Sequence, residues 1–144
     1  MMLKGIDPLL GPDLLRVLRA MGHGDEIAIV DGNYPAETDA KNLIRMDGHD
    51  APNILDAILS VMPVDHMVPQ AVWRPAAFGD PSRMEAVFDD FTAILKKHEP
   101  SQKIVPLVGA DFYNRVKGCF ALVASGERRL YGNIVVRKGV IEPG

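Results

Sequence analysis

The sequence predicts an α/β layered domain built on a mixed sheet, and three observations carry that prediction. Amphipathic runs with helical spacing alternate along the chain with short β-branched runs. Segments rich in Gly, Pro, Asn and Asp separate them, as turns require. The last two apolar runs, residues 119–124 and 134–137, have no helix-length segment between them. A parallel pair needs a long crossover, so a purely parallel sheet is not expected.

The first helix follows Gly11-Pro12-Asp13, with Pro12 suited to an opening turn and Leu14, Leu15, Val17, Leu18 and Met21 along its apolar run. Gly22 stands where a C-cap glycine belongs. Residues 26–31 read as a buried strand, and Gly32-Asn33-Tyr34-Pro35 begins a polar loop. A short element at Leu43-Ile44-Arg45 ends at Met46-Asp47-Gly48. Asp50-Ala51-Pro52 opens a second helix, with Ile54, Leu55, Ile58, Leu59 and Met62 on one face, and Pro63 stops it. Residues 70–73 predict a third strand. Asp80-Pro81 opens the clearest helix, with Met84, Val87, Phe88, Phe91, Ile94 and Leu95 on one face and Lys96, Lys97 and His98 in its last turn. Residues 103–108 read as a strand in which Pro106 argues for an edge or an irregular ladder. Residues 111–117 form a short helix capped by Gly118. No repeat, low-complexity segment or linker interrupts residues 1–144, which read as one domain.

Composition narrows the function classes. Apolar residues make up 47% of the chain and charged ones 24%, the balance of a globular protein with a real core. A net charge of -3 with scattered Lys and Arg leaves no basic footprint for nucleic acid. No apolar run has membrane-spanning length and Met1-Met2-Leu3-Lys4-Gly5 is not a secretory leader, so the cytoplasm is the expected address. Cys119 is the only cysteine and sits in an apolar stretch, which reads as a buried small hydrophobe. His23, His49, His66 and His98 lack metal-ligand spacing, and no phosphate loop, dinucleotide fingerprint or Gly-x-Ser-x-Gly elbow occurs.

The stretch with chemistry is Met21-Gly22-His23-Gly24-Asp25-Glu26, running into a strand that Asp31 closes. An imidazole and a carboxylate flanking a rigid helix–strand unit suit acid/base work. Each also has a plain structural reading: His23 can complement a helix C-terminus, and Asp31 can form a turn. Asp25 either orients His23 or caps local amides. Trp73 either stacks on a sugar or, more commonly for a lone Trp, packs in a core or interface.

Three segments together, Leu18 through Asp31, Ile44-Arg45-Met46-Asp47-Gly48, and Ser125-Gly126-Glu127 through Tyr131-Gly132-Asn133, resemble the L-fucose mutarotase and D-ribose pyranase family. The likeness runs nearly end to end, and Gly-His-Gly-Asp-Glu with Tyr-Gly-Asn is closer to the fucose branch. The resemblance implies a compact three-layer α/β/α domain with a mixed, mostly parallel sheet. It implies a homo-oligomeric ring, a decamer in the best-known members, with monosaccharide sites at subunit contacts and no metal or organic cofactor. Carried over, His23 is the catalytic acid/base, Asp31 binds sugar hydroxyls, and Tyr131 and Asn133 hold the substrate. Carboxylate, phenol and amide groups match hydroxyls that both donate and accept.

One position departs from the family. Members carry Arg or His three residues before the Phe of a Phe-Tyr pair; here the pair is Phe112-Tyr113 and that position is Gly109. Arg45, Arg74 and Arg115 are the candidates to replace the missing cation. The resemblance therefore implies a mutarotase interconverting α and β anomers of L-fucose or a related sugar. A non-catalytic sugar-binding or regulatory protein is the alternative, and a purely structural module the third.

Overall fold

A computed structural model describes residues 2–144. Six strands form one sheet in the order β2-β5-β1-β6-β3-β4, with β1 Glu26–Val30, β2 Leu43–Met46, β3 Val72–Pro75, β4 Ile104–Leu107, β5 Ala121–Ser125 and β6 Ile134–Arg137. Pairings β1–β5, β2–β5 and β3–β4 are parallel, whereas β6 runs antiparallel to both β1 and β3. Five strands thus share one direction and β6 alone is reversed. The eight residues between β5 and β6 hold no helix, which is why the chain must turn back there.

Helices cover both faces. Leu14, Val17 and Leu18 of α1 (Pro12–Ala20), Ile54, Leu55 and Ile58 of α3 (Ala51–Leu59), and Val87, Phe88 and Phe91 of α4 (Ala86–His98) pack with Ile27, Ile29, Val123 and Ile134 into one core. Ala36 of α2 (Ala36–Asp39) and Phe112 and Val116 of α5 (Ala110–Lys117) cover Ala28, Val30, Trp73, Leu122 and Val135 on the other face. Strands buried on both faces need apolar residues at successive positions, which is what the β-branched runs supply. No helix among the described residues is long and apolar enough to cross a membrane.

Two local expectations need correction, and the structure chooses between the two readings of Trp73. Helix α1 ends at Ala20 with Met21 as its cap, and Gly22 lacks the left-handed backbone of a C-cap glycine; Gly24 has it instead, at φ 89°. The Lys138 ammonium replaces the glycine cap, donating to the carbonyls of Leu18 (2.7 Å) and Met21. The clearest helix begins at Ala86, so Met84 is exposed in the preceding loop. The Asp80 carboxylate is engaged by the amide and hydroxyl of Ser82 (2.9 and 2.7 Å), which closes a turn rather than starting a helix. Trp73 is buried under the Arg115 guanidinium, 3.6 Å from its ring centroid, so it offers no face to a sugar.

Candidate functional site

Asp31 and Asn133 meet at the carboxyl end of β1, where β6 begins. The Asp31 amide donates to Asn133 Oδ1 at 2.7 Å, and Asn133 Nδ2 donates back to Asp31 Oδ2 at 3.3 Å. Both side chains are buried. Burial pushes the Asp31 carboxyl above its ordinary range, opposed by hydrogen bonds from Asn33, Asn133, Tyr34 and Gly132. The result is a carboxylate more basic than usual, already oriented. Tyr131 adjoins this pair: the Asn133 amide donates to its carbonyl at 2.7 Å, and its backbone is left-handed at φ 61°. A cleft of about 400 Å³ opens beside Asp31, lined by Tyr34, Glu37, Arg45, Asp47 and Ser125 among others. Ligands of open α/β sheets bind at such carboxyl ends.

Local geometry explains why this end has the sequence it has. The Gly126 amide donates to the His49 carbonyl at 2.7 Å, and the Gly32 amide to the Glu127 carbonyl at 2.9 Å. The buried Glu127 is clamped by Arg129 through Nη2 at 2.9 Å and Nε at 3.2 Å, and Arg129 also reaches Asp90 at 2.7 Å. Ser125 Oγ donates to the Val30 carbonyl at 2.6 Å. The Ser-Gly-Glu and Tyr-Gly-Asn segments are thus one braced loop beside Asp31. A Cβ on Gly132 would stand 2.6 Å from Glu127 Cγ, so that brace requires glycine there.

His23 lies at the other end of β1. The five-residue strand puts about 16 Å between the two ends. Its loop is pinned to the end of β6 by Gly24 N–H to the Lys138 carbonyl at 2.9 Å. The His23 side chain is 42% exposed, and its Nε2 stands 3.1 Å from Oδ2 of the fully buried Asp65. Arg137 Nε donates to the same oxygen at 2.8 Å and the Met67 amide to the other at 3.0 Å. These donors overcome the desolvation and hold the Asp65 carboxyl at about 2. An ionised carboxylate has no hydrogen to give, so Nε2–H of His23 is the donor, and in the neutral ring Nδ1 is left as the acceptor. Asp25 accepts instead from the Gly22 amide at 2.8 Å, capping the turn.

Asp65 should therefore show in an acid titration. Its folded pKa is depressed, so its contribution to stability is complete above the ordinary value of 3.8 and is lost as pH falls from there toward about 2. Asp65→Asn leaves Arg137 without its nearest anion and is expected to lower the melting temperature at pH 7 by about 5 °C. The gap to wild type should narrow below pH 4 in thermal melts and close only as pH approaches about 2.

One chain therefore brings Asp31, Tyr131 and Asn133 together and leaves His23 apart from them. Residues 4–141 match the model of the RbsD / FucU transport protein family. Curated fucose mutarotases from Danio rerio and Homo sapiens are both 38% identical to the chain, covering 98% and 96% of it and 95% and 94% of their own lengths. A crystal structure of the fucose mutarotase from Streptococcus pneumoniae in complex with L-fucose superposes with a TM-score of 0.86 at 38% identity, covering 97% of this chain and 100% of that one. FucU from Bifidobacterium longum superposes at 0.90 with 36% identity, covering 96% and 100%. The chain belongs to the RbsD/FucU family.

Within that family the Gly109 departure has a structural counterpart. Gly109 caps α5 with φ 54° and ψ -126°, a backbone that residues with a side chain avoid, so a basic residue does not fit this turn as it is built. Of the three candidate arginines, Arg45 alone lines the cleft beside Asp31. Arg45 is held by Asp47 at 2.8 Å and Glu37 at 3.3 Å. Arg115 pairs with Glu26 at 2.8 Å, at the His23 end of the sheet. Arg74 is buried over the Phe88 ring and donates to the carbonyls of Pro75 (3.0 Å) and Pro81 (3.3 Å). Asp65 is the partner of His23 that sequence reasoning missed. It lies 42 positions from His23 in an ordinary turn, and only the fold connects them.

Proposed function

We propose that this family member is a monosaccharide mutarotase that interconverts the α and β anomers of L-fucose or a closely related sugar. It is an isomerase, and its reaction is ring opening and reclosure. The C1 hydroxyl loses a proton as the ring oxygen gains one, the aldehyde rotates about C1–C2, and the ring closes from the other face. His23 carries the proton, with Asp65 holding its Nε2–H so that Nδ1 meets the sugar. Asp31, Tyr131 and Asn133 hold the hydroxyls, so that the open form recloses before it leaves.

The observation that supports this reading best is the polar end of β1: a preset Asp31–Asn133 pair, raised in basicity and set beside Tyr131. Because His23 sits at the far end of the same strand, the working site takes His23 from one subunit and the hydroxyl-binding residues from a neighbour. A closed homo-oligomeric ring, a decamer as in the best-known relatives, satisfies that need, since head-to-tail contacts close into rings. The cytoplasm is its place of work.

The Gly109 backbone favours a second reading, a sugar-binding protein of sugar uptake or metabolism that lacks useful catalysis. NMR exchange between the α and β anomers of L-fucose and D-ribose separates the two. Acceleration by the wild-type protein supports the mutarotase; saturable sugar binding without acceleration supports the binding protein.

A further inference from the structure

The oxygen that holds His23 is shared. Asp65 Oδ2 accepts from His23 Nε2 at 3.1 Å and from Arg137 Nε at 2.8 Å, and Asp65 is fully buried. The main chain fixes the same pair, because the Asp65 amide donates to the Arg137 carbonyl at 3.0 Å. Arg137 stands opposite Glu26 in the β1–β6 ladder, with Nη1 3.9 Å from that carboxylate. The His23 loop leaves room for the guanidinium. A Cβ on Gly24 would stand 3.0 Å from Arg137 Nη2 and 3.4 Å from its Cζ.

The two donors to that oxygen differ in one respect. A guanidinium stays charged throughout the working pH range, whereas an imidazole gains or loses its charge near neutrality. Burial disfavours the Asp65 anion, and of the groups that overcome it Arg137 contributes most, ahead of the Met67 amide and His23. While Arg137 supplies the balancing charge, His23 has only to donate a hydrogen bond, which the neutral ring does. Without that charge the buried carboxylate would have the imidazole alone to balance it. It would draw a proton onto Nδ1, the atom that must take one from the C1 hydroxyl.

The other charged groups on the elements packed there are engaged elsewhere. Asp25 accepts from the Gly22 amide, and the Lys138 ammonium donates to the carbonyls of Leu18 and Met21. Glu26 binds Arg115 at 2.8 Å, Glu99 accepts from the Val64 amide at 3.5 Å, and His66 stands 3.6 Å from Glu142. Among the described residues, Arg137 is thus the one permanent cation bonded to Asp65.

We propose that Arg137 is a positioning residue for the proton carrier: its fixed charge balances Asp65, so that His23 is bound as a neutral donor with Nδ1 open to the sugar. The proposal rests on the mutarotase reading and extends it to a residue that acts through Asp65.

Anomer exchange on L-fucose is measured against pH for wild type, Arg137→Gln and Arg137→Lys, and the His23 ring is titrated by NMR in the same proteins. Gln keeps a donor without the charge, and Lys keeps the charge. In Arg137→Gln the acid limb of kcat/KM and the His23 titration midpoint are both expected to rise by about 1 pH unit, the lower end of what a neighbouring opposite charge does. Arg137→Lys is expected to keep the wild-type limb and midpoint. A purely structural role would lower the rate at every pH and leave the limb in place, which overturns the proposal; an equal shift in both variants overturns it too. Should Arg137→Gln not fold, Asp65→Asn is compared with Asp65→Asn combined with Arg137→Gln, where no buried anion is left unpaired. The doubly substituted protein is expected to titrate His23 about 1 pH unit higher, and equal midpoints overturn the proposal. If wild type accelerates no sugar, the mutarotase reading fails, and the His23 midpoints still decide the role of Arg137.

Discussion

Mixing two inactive variants is expected to restore anomer exchange. His23→Ala removes the proton carrier and should lower the accelerated rate by about 10²-fold or more. Asp31→Asn keeps the shape of the side chain but removes the charge that accepts sugar hydroxyls, and is expected to cost a comparable factor. If each site takes His23 from one subunit and Asp31 from the next, subunits exchanged between the two variants assemble sites in which both residues are intact. In an equal, fully scrambled mixture about a quarter of the sites would be whole. The measurement is NMR exchange on L-fucose before and after reassembly from mild denaturant. Recovery near that fraction establishes a site shared between subunits. A mixture no more active than its parts would mean that His23 and Asp31 act within one chain or not together at all, which the strand between them opposes.

The features legible in the sequence were those set by local patterns. Apolar spacing and turn chemistry located α1, α3 and the strands, and the short, helix-free segment before Ile134 foretold a mixed sheet. The expectation for residues 80–85 failed because Asp-Pro is equally a turn and a helix start; only the Ser82 contacts decide between them. The site residues were nameable because His23, Asp31, Tyr131 and Asn133 fall in recognisable segments. Their arrangement was not. Periodicity says that a residue is in a strand, but neither which strand lies beside it nor which end of the sheet it faces. Asp65 shows the same limit: no spacing rule connects it to His23, and the contact exists because its segment packs beside the end of β6, where its amide donates to the Arg137 carbonyl at 3.0 Å.

Gly126→Ala is expected to cost more stability than any other single methyl added to the chain. Gly126 follows β5 directly, and a Cβ there would overlap the Asp47 carbonyl oxygen and stand 3.0 Å from its carbon and 3.4 Å from the His49 carbonyl oxygen. These are backbone atoms, so they cannot swing aside as a flexible side chain would. The Gly126 amide is also tied to His49, which leaves β5 and the Asp47–His49 turn no independent way to separate. Relief requires moving the turn after β2 away from the sheet, and the expected loss is about 4 kcal/mol, at the diagnostic end of single-mutant effects. For a chain of this size that is a fall in Tm of about 12 °C. Gly48→Ala is the matched control, one added methyl in the adjoining turn with open space around it and an ordinary backbone, and should shift Tm by no more than about 2 °C. The contrast separates close approach from any general need for glycine in this loop. It also bears on the site, because the same approach sets the Ser125-Gly126-Glu127 brace beside Asp31. A Gly126→Ala protein that still folds is therefore expected to bind sugar more weakly, as the brace that positions the Asp31–Asn133 pair is displaced.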